Sequence, residues 1–304
     1  MSNFLYRLYT VVLWLCQSVG IMHWIESSTL AIRAARWMRE HITGGGVVVV
    51  TEKIDGHQMQ INPDYIDLLR GQGHERGTTK VFTELVKEGM NVVDIGANIG
   101  YYTLLAARRV GLHGRVYAFE PEPYNFKILT ENIRLNGYNN VIAVQKAVSN
   151  ESGTAPLFLS PRGDGWHGLL SSKDYGEEAI AVETVTLDEF FEMEGYPAIQ
   201  VVKMDIEGWE VEALDGMHKV VMRNSPLTMI VEFMPRLLLT RDMSPLALTD
   251  KLMELGFTIS VIDEDSGQTA PFAEYHSGKP SEFVTKHRTS VNLLAQKECK
   301  ARRI

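Results

Sequence analysis

The chain has 304 residues, 45% of them hydrophobic and 22% charged, the composition of an ordinary globular protein with a core that needs no disulfide or metal staple. A formal net charge of −8 excludes a broad nucleic-acid footprint, which requires clustered Lys and Arg. The two cysteines, Cys16 and Cys299, offer neither a disulfide framework nor a zinc spacing, so a reducing, cytoplasmic setting is expected and no metal is assigned.

Residues 1–43 read as a helical extension. The run from Leu8 to Ile25 carries no Asp, Glu, Lys or Arg, but a bilayer span needs about 20 mostly apolar residues, and Thr10, Gln17, Ser18, Gly20 and His23 dilute this one. A helix packed on the domain is the plain reading. With Tyr9, Trp14, Trp24 and Arg7, a peripheral membrane contact through residues 1–25 is the alternative; a span or a signal peptide comes third, since no small-residue cleavage site succeeds the run. A second helix is expected from Ser27 to His41, its Arg33, Arg36 and Arg39 forming a solvated stripe before Gly44-Gly45-Gly46 breaks it.

The main domain is expected over residues 44–298, with a short tail at 299–304. Asp55-Gly56 between Val47–Thr51 and Gln58–Ile61 is a hairpin signal. A helix from Thr78 to Lys87 comes next. Strands and helices then alternate: strand Asn91–Ile95, helix Gly100–Val110, strand Arg115–Phe119, helix Pro123–Asn136 and strand Val141–Lys146. That alternation implies a mostly parallel sheet covered on both faces. Residues 153–185 interrupt it as a Gly/Ser/Asp-rich insertion with β-like stretches at Ala155–Leu159 and Ile180–Val185. It resumes with a capping-box helix at Thr186, strand Ile199–Met204, helix Glu207–Leu214, strand Leu227–Phe233, a helix from Ser244-Pro245 to Gly256, and closing strands Phe257–Ile262 and Ser290–Leu294.

Three segments carry chemistry. Asp94-Ile95-Gly96-Ala97-Asn98-Ile99-Gly100 joins a strand to a helix; Gly96 and Gly100 permit a sharp turn and a close ligand approach, at the strand end where open α/β sheets bind ligands. It lacks the third glycine of a pyrophosphate loop and the Lys of a P-loop. Glu120, ending the next strand, is placed to accept both hydroxyls of a ribose. Asp205 and Glu207, in Lys203-Met204-Asp205-Ile206-Glu207-Gly208, could orient a substrate, act as a base or hold a metal; the plain alternative is that they are acids at a helix N-terminus. Lys203 reads as the partner of a nearby acid. His167, in the insertion, is a further candidate base because an unperturbed His titrates near neutrality, although a lone loop His is usually just exposed. Residues 164–174 are the expected seat of substrate selection.

Taken together, Val93 to Thr103, Phe119-Glu120-Pro121, Asn132 to Asn136, Ala147-Val148-Ser149, Thr186-Leu187-Asp188, Lys203 to Gly208 and Glu232 resemble the FkbM-type methyltransferases. The resemblance covers roughly Val47 to Ala295. It implies an α/β class I methyltransferase fold, Rossmann-like and doubly wound, with S-adenosylmethionine as cofactor. It implies that Asp94, Gly96 and Gly100 line the methionine part, Glu120 holds the ribose, Ala147 and Val148 lie near the adenine, and Asp205 lies near the transferring methyl; Asn98, within the same loop, is counted with the cofactor-binding residues. A hydroxyl acceptor would also benefit from a base, for which Asp205, Glu207, Glu232 and His167 are the candidates. The associated acceptors are hydroxyls on sugars, lipids or natural-product-like small molecules, and no nucleic acid: the fourth strand is not succeeded by Asn/Asp-Pro-Pro-Tyr. A nicotinamide-dependent oxidoreductase and a non-catalytic cofactor-binding module remain the alternatives. Oligomeric state has no signature in the chain.

Overall fold

A computed structural model describes residues 50–61, 75–159, 169, 179–275 and 290–298. The expectations for the N-terminal extension, His167, most of 164–174 and the tail fall outside these residues. The chain divides into a unit of residues 1–50 and 61–66 and a unit of residues 51–60 and 67–304; the central sheet and its helices belong to the second. Among the described residues no helix is long and apolar enough to cross a membrane.

Strands β1 (Val50–Ile54) and β2 (His57–Ile61) form the expected hairpin. Asp55 and Gly56 both have positive φ, 45° and 85°, the demand of a tight two-residue turn. Helix α1 (Arg76–Leu85) leads to β3 (Asn91–Ile95), α2 (Tyr101–Val110), β4 (Arg115–Phe119), α3 (Pro123–Leu135) and β5 (Val141–Val144). Strands β6 (Ala147–Val148), β7 (Gly153–Phe158) and β8 (Ala179–Val185) make a separate three-stranded sheet. Then come α4 (Leu187–Met193), β9 (Val201–Met204), α5 (Glu210–Asp215), α6 (His218–Arg223), β10 (Leu227–Phe233), α7 (Pro235–Leu239), α8 (Ala247–Glu254), β11 (Thr258–Ile262), β12 (Thr269–Pro271), α9 (Phe272–Tyr275) and β13 (Val291–Lys297).

The central sheet has eight strands in the order β12-β11-β13-β10-β9-β3-β4-β5. The five strands β10-β9-β3-β4-β5 run parallel. Strand β13 is antiparallel to both its neighbours, and β12 to β11. The chain winds outward through β3, β4 and β5, then returns to wind the other way through β9 and β10. The switch point therefore lies between β3 and β9, where ligands bind in such sheets. This is the expected doubly wound, mostly parallel architecture with a class I methyltransferase strand order.

Both faces are buried, which is why the strands read as near-continuous apolar runs. On one face Val93, Ile95, Tyr117, Phe119, Val202, Met204 and Val231 pack with helices α4, α5, α6 and α8. On the other, Val92, Val116, Val201, Ile230 and Leu294 pack under α1 and α2 through Val81, Phe82, Leu105 and Val110. Helices α6 and α7 are not among the elements expected from sequence. Each is only five or six residues long, too short for a periodic apolar stripe, although Pro235 stands at the start of α7 as a legible start signal.

Several polar residues set the frame that holds the loops. Asn132 on α3 and Asn136 at its C-terminal cap, one turn apart, grip the edge of β2. Asn132 accepts from the Gln60 N–H at 2.5 Å and donates to the Gln60 and Ile99 carbonyls at 3.1 and 2.8 Å; Asn136 makes the same two-way contact with Gln58 at 3.0 and 2.7 Å. An edge that would otherwise invite pairing is thereby occupied. Thr186 caps α4 by accepting from the Glu189 N–H at 3.1 Å, and Asp188 accepts from the Lys219 and Val220 N–H groups, both at 2.9 Å, at the start of α6.

Candidate active site

The loops at the carboxyl ends of β3, β4 and β9 are laced together through their backbones. The Gly96 and Ala97 N–H groups donate to the Phe119 carbonyl at 3.0 and 2.9 Å, and the Asp205 N–H donates to the Ile95 carbonyl at 3.0 Å. Gly96 and Gly100 have φ of 81° and 97°, backbone that favours glycine. What crowds these positions is protein. A Cβ on Gly96 would stand 1.9 Å from the Asp205 carbonyl oxygen, and one on Gly100 would stand 2.7 Å from Leu129 Cδ1. The turn and, at Gly96, the close approach of the Asp205 backbone already call for glycine here.

Glu120 is buried. Its Oε2 accepts from the Asn98 N–H at 2.8 Å and its Oε1 from the Glu122 N–H at 2.9 Å. Asn98 reaches it by adopting φ 49°. Burial pushes the Glu120 carboxyl up to about 8, against the pull of the Glu122 and Asn98 N–H groups. Each carboxylate oxygen has two lone pairs and one backbone donor, so two acceptor positions remain. A ribose diol offers two O–H donors, which fits that remainder.

Asp94, expected to line the methionine part of the ligand, is anchored from within the protein. Its carboxyl is buried within the sheet and accepts from Thr103 Oγ1 at 2.5 Å, tying β3 to α2. Burial raises it to about 6, opposed by Thr103 and by the positive charge of Lys203. Ala147 and Val148 form β6. Ala147 packs with Leu157 and Val182 in the small sheet, and Val148 joins the main core. Ser149, the next residue, accepts at Oγ from Trp209 Nε1 at 3.1 Å, which links this segment to the turn after β9.

That turn holds the acids. Lys203, fully buried, donates to Asp205 Oδ2 at 3.1 Å, bearing out the reading of Lys203 as an acid's partner. Burial works against the Lys203 charge, but Asp205, Glu75 and Glu232 more than reverse it and hold the ammonium above its usual range. Glu207 lies outside the helix expected to begin there; it is buried at φ 55°. The residue at the start of that helix is Glu210, which sequence reasoning missed. Its Oε1 accepts from the Ile206 and Gly208 N–H groups at 3.2 and 3.1 Å and so shapes the turn. The signal was present as an acid two residues after Gly208 in the Asp-Ile-Glu-Gly-Trp-Glu segment.

Glu232 arrives from β10. The parallel register pairs Met204 with Val231, so Asp205 and Glu232 come abreast one residue further on. One carboxylate oxygen each from Asp205, Glu207 and Glu232 lies within 4.8 Å of the other two. Burial, then the charges of Asp205 and Glu207, hold the Glu232 carboxyl well above the usual range. Asp94, Glu120, Asp205, Glu207, Glu210 and Glu232 thus outnumber the buried Lys203 around the switch point. Burial raises the carboxyls of Asp94, Glu120, Glu210 and Glu232, and a cation placed among them would favour their ionised forms.

The sequence profile of the methyltransferase FkbM domain matches residues 94–259. A hexuronic acid methyltransferase, AglP, of Haloferax volcanii is 33% identical over 151 residues, which span 49% of this chain and 57% of the relative. Methyltransferase sdnD of Sordaria araneosa is 31% identical over 165 residues, 44% of this chain and 63% of the relative. The chain therefore spans less than two thirds of the length of each of these relatives. Among solved structures, a putative O-methyltransferase from Klebsiella pneumoniae aligns with a TM-score of 0.44 at 12% identity, covering 75% of this chain and 83% of the other.

Proposed function

The chain belongs to the FkbM methyltransferase family, and from that membership we propose that its domain, spanning about residues 44–298, methylates a hydroxyl of a sugar, lipid or natural-product-like small molecule with S-adenosylmethionine as donor. A glycan acceptor is favoured by the hexuronic acid named for the Haloferax volcanii relative. When bound, the cofactor supplies an electrophilic methyl on a sulfonium, whose positive charge suits the acidic surroundings of the switch point.

The observation that carries this reading is Glu120. It is an ionisable group at the end of β4, held by two backbone N–H groups, with acceptor positions left for a vicinal diol. Gly96 to Gly100 supply the turn against which the methionine part lies. Asp205 keeps 30% of its side chain exposed, so of the three clustered acids it is the one an acceptor reaches. It takes up the hydroxyl proton as the oxygen gains the methyl. Such positioned proton transfer contributes about 10²–10⁴-fold. Aligning the acceptor oxygen with the methyl, and keeping water out, is the remaining task of the site.

Glu120→Ala tests the reading. Losing two charge-assisted hydrogen bonds of about 1.5–3 kcal/mol each weakens S-adenosylmethionine binding on the order of a hundredfold or more. Calorimetric titration showing unchanged affinity in a folded variant sinks the assignment. A screen of uronic-acid glycans, lipids and hydroxylated metabolites with radiolabelled methyl donor then identifies the acceptor.

A further inference from the structure

Oε2 of Glu232 is buried and has no hydrogen-bond partner, on a side chain that is itself 92% buried by its 8% exposure. An orphaned buried acceptor costs on the order of 1–3 kcal/mol, more when charged. The buried ammonium nearby is engaged elsewhere, Lys203 Nζ donating to Asp205 Oδ2 at 3.1 Å, and the Glu232 carboxyl is otherwise tied only by a hydrogen bond shared with Asp205, which leaves Oε2 open. Glu232 faces Asp205 and Glu207, and the third acid is brought in by a left-handed backbone at Glu207, φ 55°. A non-glycine residue in that region costs about 1–3 kcal/mol and persists where its surroundings require it.

We propose that Asp205, Glu207 and Glu232 bind one hard divalent cation of the calcium, magnesium or manganese kind. Oxygens that share such an ion lie no further apart than twice the metal–oxygen distance, about 4.2 Å for magnesium and about 5 Å for calcium. The three carboxylate oxygens already lie within 4.8 Å of one another, so a slight closing of side chains brings them to a shared calcium and a larger one to a smaller ion. The donors are all oxygen, which suits a hard cation and disfavours zinc or copper. Glu210 and Asp94, the adjacent buried acids, have donors of their own in the Gly208 N–H and the Thr103 hydroxyl and stay outside the set. Three protein ligands leave open positions on a six-coordinate ion. On the methyl-transfer reading, and only on it, these take oxygens of a polyhydroxylated acceptor and hold it at the switch point; the binding of the ion does not depend on that reading.

The test uses the full chain without cofactor or acceptor. Calorimetric titration with Mn²⁺ and with Ca²⁺, supported by the loss of the free Mn²⁺ electron paramagnetic resonance signal, should show one site filling below about 1 mM. Glu232→Gln, and independently Asp205→Asn, should weaken that binding at least about tenfold while circular dichroism shows a folded protein. No binding of either ion up to that concentration overturns the proposal, as does binding that both variants leave unchanged. If one variant fails to fold, the other decides. Separate titration with S-adenosylmethionine keeps the two ideas apart: donor binding without ion binding sinks only the ion site, and ion binding without donor binding sinks only the methyl-transfer reading.

Discussion

The two halves of the switch point treat their carboxylates in opposite ways. At the ends of β3 and β4, the buried acids are met by donors from nearby in the chain: Glu120 by the Asn98 and Glu122 N–H groups, Glu122 by the Asn125 N–H at 2.6 Å, and Asp94 by Thr103. At the ends of β9 and β10, three acids crowd together with one lysine among them, and Glu232 Oε2 is left without a partner. The first half is a preformed cradle, in which a ligand completes bonds already laid out. The second stores unfavourable charge that a proton, a cation or an acceptor must relieve. Stability is spent on the β9–β10 side, where the chemistry is proposed, and conserved on the side where the donor is proposed to sit.

Asp205→Asn separates the two halves most sharply. It removes the accessible base and should lower the turnover rate about 10²–10⁴-fold, while S-adenosylmethionine affinity stays within about threefold. A variant that loses donor affinity and keeps its turnover at saturation shows that Asp205 belongs to the cradle instead. Thr103→Val probes the other half. It leaves buried Asp94 without its hydroxyl donor and should cost about 1–3 kcal/mol of stability, read from urea denaturation. An unchanged midpoint means that the Asp94–Thr103 bond contributes nothing to the cradle. The smallest expected effect is on pH. The Glu120 carboxyl is raised to about 8 from 4.5, so the ligand-free fold holds this proton more tightly than the unfolded chain does. Its contribution to stability is therefore present at low pH and is lost as pH rises between those values. Ribose hydroxyls need the ionised form as acceptor, so with the carboxyl at about 8 donor affinity should tighten about 25-fold between pH 6.5 and 8.5. Calorimetry at a series of pH values checks this; the slope should vanish in Glu120→Ala, and a slope that survives there moves the titrating group elsewhere.

Much of the donor half is legible in the chain because its partners are close in sequence. Strands Asn91–Ile95 and Arg115–Phe119 have the bounds the apolar runs suggest, and Pro123 and Gly137 bracket α3 as expected of a start and a stop. The glycine loop is legible as a turn, but its steric partner, the Asp205 carbonyl, comes from over a hundred residues away and has no local signature. Glu207 shows the same limit. An acid after a strand reads as the first turn of a helix, and only the Glu210 bonds to Ile206 and Gly208 explain why the helix starts three residues later and turns Glu207 inward.

The amino-acid sequence alone determined the alternating strand and helix pattern, the β3–α2 loop and the acid at the end of β4, because each depends on periodicity, turn chemistry and neighbours within one βαβ unit. Only the tertiary structure decided which acids share the acceptor side. Asp205 and Glu207 meet Glu232 because β9 and β10 pair in parallel with Met204 against Val231. Pairing of strands across two intervening helices is a long-range choice, set by which apolar faces bury together, and no local run of residues encodes it.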